Sequence, residues 1–382
     1  MKKYIAEKYS KGSANISLNT AALEKYKDII DLSIGDTDLI TDKRIIDRAF
    51  QDAKRGYTRY GNPKGDPELI SSFCNFWYED FGQELSADNV LVTASSCLGM
   101  SLVMLSLLNP GDEVIVFSPY FPMYKGQIEL AGGVCVDVPC YAEEGWAISA
   151  ERIRDAITSK TKAFIFNNPT NPSGMSYGKN TLEILAEIAK EYDLIAVSDE
   201  IYTTYMFEEE FVPLRTLPGM EDRTVTLNSF SKNFMMTGWR VGTIVAHPDF
   251  INVMNSINGS LIYTAPSISQ RAGIEALEIR KDVRDKYISV YEDRVLFMAD
   301  ELAKIDWIDL VRPKGTFYIF PGIEKTGMSS VGFCDYLLEN AHILVTPGKP
   351  FGCTGEGHFR IACTVPREQL AAAVNRMKEL SF

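Results

Sequence analysis

The sequence has few of the residues that build metal centres and disulfide frameworks. Its 382 residues include three histidines, which are far apart, and seven cysteines. The cysteines are odd in number and scattered, and they form no Cys-x-x-Cys pair. This pattern argues against a metal site or a set of disulfides, and it favours a reducing compartment such as the cytoplasm.

A long apolar run and an excess of basic residues are also missing. No stretch approaches the roughly 20 apolar residues that cross a bilayer. The amino terminus MKKYIAEKYSKG lacks the apolar centre of a signal peptide. Because the net charge is −12 and basic residues form no run, we expect neither a membrane nor a nucleic acid as partner.

The middle of the chain alternates short apolar runs with helical patterns such as TLEILAEIAKEY. Apolar residues make up 46% of the sequence, as is typical of a globular protein. The apolar runs are NVLVT, EVIVF, VCVDV, KAFIF, LIAVS, TVTLN and GTIVA. Buried strands separated by helices predict an α/β fold with a mostly parallel sheet, whose ligands bind beyond the carboxyl ends of the strands.

The carboxyl-terminal part has a different pattern, in which GTFYIF, ILVTPG and HFRIACTV stand between helical segments. We predict a large domain over residues 44–283 and a smaller α+β domain over residues 284–382. Residues 1–43 show no strand–helix alternation, and we expect them to pack with the small domain.

Polar residues follow two of the predicted strands. Ser95, Ser96 and Cys97 come where NVLVT turns into a helix, so they suit either a phosphate or a simple helix cap. The loop NNPTNPSG follows KAFIF. Its prolines stiffen the loop, which either is only a turn or presents the amide of Asn171 to a ligand.

Charged residues follow the next two strands. Asp199 ends LIAVS and suits either a protonated ring nitrogen or a helix cap. Lys232 follows TVTLN among phenylalanines and methionines, where a lysine loses its proton more easily and becomes a nucleophile. Arg240 lies eight residues further on. Their convergence at one sheet edge indicates an aromatic cofactor with a ring nitrogen, a phosphate and an aldehyde.

The stretch SFSKNFMMTGWR resembles the S-x-S-K-x-x-x-x-x-G-x-R motif of the class I/II aminotransferases, the fold type I enzymes that use pyridoxal phosphate. RYGNPKGDPEL, NPTNPSG and SDEIY match other motifs of this family in the expected order, so the resemblance covers nearly the whole chain. It implies a large domain with a mostly parallel mixed sheet flanked by helices, and a smaller α+β domain.

The resemblance also implies roles for individual residues. Lys232 resembles the lysine that forms a Schiff base with the cofactor, and Asp199 resembles the partner of its ring nitrogen. Asn171 and Tyr202 resemble the pair that hydrogen-bonds the phenolic oxygen of the ring. The phosphate ligands implied by the resemblance are Ser95, Ser96, Cys97, Ser229, Arg240 and, across a dimer interface, Tyr60.

Three further residues complete this set. Phe121 resembles the aromatic residue that stacks on the cofactor ring. Arg360 resembles the arginine that binds the substrate α-carboxylate, and Gly35 resembles a glycine whose backbone approaches the same carboxylate. Asn171 is expected to contact the substrate as well. Two positions depart from the family pattern: relatives often have a hydroxyl or a lysine at Cys97, and the usual Glu-Pro after Gly35 is Asp-Thr here.

The resemblance implies a homodimeric aminotransferase that moves the amino group of an L-amino acid to a 2-oxo acid with ping-pong kinetics. A carbon–sulfur β-lyase is the alternative, because it uses the same lysine and arginine. Dedicated aspartate recognition is not expected, since no cation stands at Ser260 or Cys97. Tyr263, Phe121 and Tyr124 instead suggest a pocket for apolar or aromatic side chains.

Overall fold

The structure of the protein is a computed structural model that describes residues 26–382, together with Tyr4 and Ala6. Apart from these two residues, the predicted amino-terminal segment before residue 26 lies outside the described residues. The helices are α1 (Lys43–Lys54), α2 (Pro67–Phe81), α3 (Ser96–Leu107), α4 (Met123–Leu130), α5 (Ala150–Ala156), α6 (Lys179–Glu191), α7 (Phe230–Asn233), α8 (Pro248–Leu261), α9 (Ser267–Glu278), α10 (Arg280–Val283), α11 (Ser289–Leu302), α12 (Ser330–Ala341) and α13 (Arg367–Lys378).

A seven-stranded sheet has the order β2-β8-β7-β6-β5-β3-β4. Its strands are β2 (Val90–Thr93), β3 (Glu113–Ser118), β4 (Val134–Pro139), β5 (Thr161–Asn167), β6 (Ile195–Asp199), β7 (Thr224–Ser229) and β8 (Gly242–Val245). All of them are parallel except β8, which runs antiparallel to both β2 and β7. Every apolar run that was predicted as a strand therefore belongs to this sheet.

Both faces of the sheet are covered, which explains why its strands read as continuous apolar runs. On β3, Val114 and Val116 pack on one face with residues of α3, α4 and α8. Ile115 and Phe117 pack on the other face with residues of α5 and α6. Opposite directions of successive side chains along the strand produce this division.

Local signals place helix α2 next to the sheet. The side chain of Asp66 accepts a hydrogen bond from the Glu68 amide, and Pro67 opens the helix, where its missing N–H costs nothing. Gly82 ends the helix in the left-handed conformation, with φ of 69°. The loop that carries Tyr60 leads directly into this capped start.

The carboxyl-terminal part contains the three-stranded antiparallel sheet β11-β12-β9. Its strands are β9 (Tyr318–Ile319), β11 (Thr346–Pro347) and β12 (Phe359–Ala362). Strand β1 (Ile30–Asp31) pairs in parallel with β10 (Ile343–Leu344), so the chain just before residue 43 contacts this part. One apolar cluster joins Phe73 to Phe317 and Phe359 across the predicted boundary. The boundaries themselves stay a prediction.

Candidate active site

A large cleft lies beyond the carboxyl ends of β5, β6 and β7, with a volume of about 1880 Å³. Asn167 and Asp199 end neighbouring strands in register, and Ser229 ends the next strand. The predicted site residues that line the cleft are Gly35, Ser95, Ser96, Cys97, Phe121, Asn171, Asp199, Tyr202, Ser229, Lys232, Arg240 and Arg360. The topology thus brings residues that are far apart in sequence to one place.

Lys232 lies on the short helix α7, which begins directly after β7. The side chain of Ser229 caps this helix by accepting a hydrogen bond from the Ser231 amide at 3.1 Å. The ammonium of Lys232 donates to the carbonyl oxygen of Gly35 and lies 5.6 Å from the centre of the Phe317 ring. The phenylalanines and methionines that surround Lys232 in sequence are buried, whereas Lys232 itself is half-buried and lines the cleft.

Asp199 is a buried carboxylate at the end of β6, and only 5% of its surface is exposed. Its Oδ2 accepts a hydrogen bond of 2.5 Å from the hydroxyl of Tyr124, while its Oδ1 has no partner among the described residues. Burial raises the pKa of Asp199 to about 6, although the hydrogen bond from Tyr124 acts in the opposite direction. An opposite charge placed at Oδ1 would therefore be bound strongly.

The start of α3 forms the second part of the site. Ser95 precedes this helix with φ of 91°, and its side chain accepts a hydrogen bond from the Leu98 amide at 3.4 Å. It is therefore a cap and a cleft residue at once. A Cβ atom on Gly242 would lie 2.9 Å from the Ser96 nitrogen, so only glycine allows β8 to approach this helix start so closely. Arg240, which is exposed and has φ of 55°, lines the cleft as well.

Arg360, on strand β12, is a buried cation that lines the cleft, and 5% of its surface is exposed. Its Nη1 donates to Asn171 Oδ1 at 3.0 Å, and its Nη2 donates to the Ser33 carbonyl at 2.8 Å. Its Nε has no partner among the described residues. The guanidinium lies 4.4 Å from the centre of the Tyr318 ring. The guanidinium is thus oriented by protein groups, and no carboxylate of the described residues forms an ion pair with it.

The sequence interpretation did not include two contributing residues, Tyr318 and Asn167, or the contact that Tyr124 makes. The Tyr318 hydroxyl lies 3.3 Å from the Tyr202 hydroxyl, and Asn167 Oδ1 accepts a hydrogen bond from the Asn171 amide at 2.8 Å. Tyr124, which was expected in a substrate side-chain pocket, lines the cleft, and its hydroxyl donates to Asp199. The position of Asn167 at a strand end was a signal that could have identified it.

Gly35 has a steric role that the sequence interpretation did not include. A Cβ atom at this position would lie 1.7 Å from the Tyr318 hydroxyl oxygen, so a side chain does not fit. The absence of a side chain lets the backbone approach both Tyr318 and Lys232.

Tyr60 lies outside the lining of the cleft. Its side chain is 87% exposed and contacts the ring of Tyr263 edge-on, with 5.5 Å between ring centres. Tyr263, whose segment the resemblance assigns to the neighbouring subunit's pocket, also lies outside the lining. Neither side chain reaches the cleft of its own chain.

Among the described residues, no group of histidine, cysteine and acidic side chains could hold a metal ion. All seven cysteines are free. In the same part of the chain, every helix is too short or too polar to cross a membrane.

Comparisons with known proteins agree with this geometry. The family described as aminotransferase class I and II matches residues 27–377. An aspartate aminotransferase of Pyrococcus horikoshii is 34% identical, with 93% of this chain and 91% of the relative covered. An arginine–pyruvate transaminase of Pseudomonas aeruginosa is also 34% identical, with 94% and 91% covered.

A solved structure, the aromatic aminotransferase of Pyrococcus horikoshii, superposes with a TM-score of 0.90 at 32% identity. The match covers 94% of this chain and 97% of that one. The predicted fold type I architecture is therefore confirmed, and the comparisons give no support to the carbon–sulfur lyase alternative. This chain belongs to the class I and II aminotransferases, and it is an enzyme that transfers amino groups.

Proposed function

We propose that the cleft binds pyridoxal phosphate and that the enzyme moves the amino group of an L-amino acid to a 2-oxo acid by a ping-pong mechanism. The observation that carries this proposal is the free Oδ1 of Asp199. This buried oxygen has no hydrogen-bond partner in the part of the chain that the structure describes, and Asp199 lines the same cleft as Lys232 and Arg360. The free cysteines fit a cytoplasmic enzyme.

The residues present fit this cofactor. A protonated ring nitrogen would supply the donor that Asp199 Oδ1 lacks. The amides at the start of α3 and the guanidinium of Arg240 suit a phosphate. The other residues that would hold the cofactor are Ser95, Ser96, Cys97, Phe121, Asn171, Tyr202, Ser229 and, from the partner subunit, Tyr60.

When bound, pyridoxal phosphate withdraws electrons from the substrate Cα and so makes its proton acidic. Lys232 Nζ accepts this proton and returns it, as a general base and acid in the same cleft. Arg360, with the backbone of Gly35, holds the α-carboxylate and thereby orients Cα toward Lys232. Both the amino acid and the 2-oxo acid carry this carboxylate, so one arginine serves both half-reactions.

The substrate side chain is the least determined part of the proposal. The names of the relatives refer to aspartate, arginine and aromatic substrates. Cys97 stands where some relatives place a lysine, so we propose that this enzyme does not depend on a dedicated cation for a second carboxylate. Phe121 lines the cleft and favours apolar or aromatic donors. A screen of amino donors against 2-oxoglutarate and pyruvate would rank these classes directly.

Covalent labelling tests the cofactor assignment. Purified enzyme should be yellow, and borohydride should abolish the visible absorption band. Peptide mapping should then find the pyridoxyl group on Lys232. The matched control is Lys232→Arg, which keeps the charge but should take up no label. A label on a different lysine, or none at all, would refute the assignment.

We also propose a homodimer in which Tyr60 contacts the phosphate in the partner subunit. The exposure of Tyr60 outside its own cleft supports this arrangement, because an aromatic side chain with a polar tip suits an interface.

Mixing inactive Tyr60→Ala and Lys232→Ala enzymes tests the shared-site arrangement. In a mixed dimer, one site carries both defects and the other carries neither. Random exchange should restore about a quarter of wild-type activity, since half of the dimers are mixed. Proven exchange without recovery would exclude shared sites.

A further inference from the structure

Helix α4 carries a hydroxyl that reaches the buried carboxylate of the site. Tyr124 is 2% exposed, and its hydroxyl donates to Asp199 Oδ2 at 2.5 Å. The two residues are 75 positions apart in sequence and lie on different elements. Because Oδ2 is occupied by Tyr124, Oδ1 is the carboxylate oxygen left for a ligand.

The position of Tyr124 is fixed from several sides. Its ring packs against Tyr120, with 6.4 Å between ring centres, and edge-on against Phe121, at 5.7 Å. One turn further along α4, Gln127 donates to the carbonyl oxygen of Cys97 at 2.9 Å. Helix α4 is thereby tied both to the end of β6 and to the first turn of α3. The hydroxyl is held at Oδ2 by this packing.

Electrostatics makes Tyr124 a permanent donor. Burial raises the pKa of Tyr124 far above its usual value, and the charge of Asp199 acts in the same direction. Its hydroxyl therefore stays protonated at any pH at which the enzyme works. A carboxylate that accepts such a hydrogen bond is a weaker base than one that does not.

We propose that Tyr124 is a positioning residue that acts through Asp199, turning Oδ1 toward the ring nitrogen of the cofactor and keeping the shared proton on that nitrogen. This inference rests on the proposed cofactor. Without the Tyr124 hydroxyl, Asp199 becomes a stronger base and competes for the proton. The neutral ring that results withdraws electrons from Cα less well.

The test uses the holoenzyme loaded with pyridoxal phosphate that carries ¹⁵N in its ring. In wild type, the ¹⁵N resonance should report a protonated nitrogen between about pH 6 and 9. In Tyr124→Phe, it should move toward the value of unprotonated pyridine. Loss of one hydrogen bond to a charged group predicts a kcat lower by about tenfold to a hundredfold. KM should change little, because Tyr124 does not contact the substrate carboxylate site.

Tyr177→Phe is the matched control. This half-buried tyrosine lies outside the cleft lining, and its hydroxyl donates to the Trp146 carbonyl at 2.8 Å. It should leave both the ¹⁵N resonance and kcat unchanged. If Tyr124→Phe keeps the wild-type resonance and kcat, the inference is wrong. A wild-type enzyme that binds no labelled cofactor would instead refute the proposed function.

A second variant guards against a folding defect in Tyr124→Phe, which thermal unfolding would reveal. 4-Aminophenylalanine at position 124 keeps a weaker hydrogen-bond donor at the same point. Its ¹⁵N resonance should lie closer to wild type than that of Tyr124→Phe. An unprotonated ring nitrogen in wild type itself would contradict the inference without reference to any variant.

Discussion

Asp199 and Arg360 are buried charges that line one cleft, and neither forms an ion pair with another described residue. They differ in how they are held. The Asp199 carboxylate accepts one side-chain hydrogen bond, from Tyr124. Arg360 has three oxygen acceptors, which belong to Asn171, Ser33 and Thr346.

The protein therefore holds these two buried charges in different ways before a ligand binds. At the Asp199 end, one of the two carboxylate oxygens has no partner among the described residues, so burial of this charge is costly until a cation arrives. Arg360 Nε also lacks such a partner, but both Nη atoms of Arg360 are bonded. At the Arg360 end, several oxygen atoms accept hydrogen bonds from the guanidinium, so its position does not depend on any one of them. We therefore expect the first end to be sensitive to single substitutions and the second to be tolerant, except at the arginine itself.

Removal of the Asp199 carboxylate should have the largest effect on turnover. Asp199→Ala leaves the ring nitrogen without an anionic partner, which raises the barrier to proton loss at Cα. With cofactor at saturation, turnover should fall by ~10²–10³-fold, or about 2.7–4 kcal/mol. Steady-state kinetics at several cofactor concentrations separates this loss from weaker binding. Turnover equal to wild type would mean that Asp199 has only a structural role.

The second prediction concerns the stability of the enzyme after removal of the cofactor. The pKa of Asp199 is about 6 in the folded chain against an ordinary value of 3.8. Between these values the folded state binds more protons, so stability falls as pH rises from 4 to 6. Above pH 6 the buried carboxylate is ionised and lowers the free energy of unfolding by its full amount. The difference between the two pKa values corresponds to about 3 kcal/mol.

The asparagine of the Asp199→Asn variant does not ionise, so this variant should not lose stability between pH 4 and 6. The variant should be more stable than wild type at pH 8 by up to about 3 kcal/mol and equally stable at pH 4. Urea unfolding at equal protein concentration measures the difference. Burial also raises the pKa of Glu200, to about 8, and the charge of Asp199 adds a smaller part of this shift. The part caused by burial is present in both proteins and cancels. The same stability difference at both pH values would contradict the assignment to Asp199.

The third prediction addresses the cation. Arg360→Lys keeps the charge but loses the planar fork, which a carboxylate can use with two hydrogen bonds. We expect kcat/KM to fall by ~10–10²-fold, or about 2 kcal/mol, for every amino donor alike. A loss confined to one class of donor would place Arg360 near the substrate side chain instead of the common α-carboxylate.

The two ends also differ in how far the sequence predicts them. The Asp199 end lies on parallel strands, so apolar runs and the residues that follow them indicate a shared edge. The contact from Tyr124 was not predicted, because it depends on how α4 packs across the sheet. The Arg360 end is built from Ser33, Asn171 and Thr346, which belong to separate parts of the chain. No spacing in the sequence predicts that these residues meet. The resemblance pointed to the arginine and to Asn171, but it did not indicate Ser33 or Thr346.

We expect the smallest effect on kcat/KM for a substitution at Thr346, one of the residues that accept a hydrogen bond from Arg360. Thr346 Oγ1 lies 3.5 Å from Arg360 Nη2, at the weak end of hydrogen bonding, and donates to the Ser33 carbonyl at 2.9 Å. Thr346→Val keeps a β-branched side chain in strand β11 and removes only the hydroxyl. Because the carbonyl of Ser33 and the amide of Asn171 remain, kcat/KM should fall only about threefold, or less than 1 kcal/mol.

Thr326→Val provides the matched control, since its hydroxyl also donates to a carbonyl, that of Ile323, but lies away from the cleft lining. It should leave kcat/KM unchanged. A loss in Thr346→Val as large as in Arg360→Lys would show that the arginine depends on this one contact. Asp199 and Arg360 would then each depend on a single hydrogen bond. The expectation that Arg360 tolerates the loss of one acceptor would be wrong.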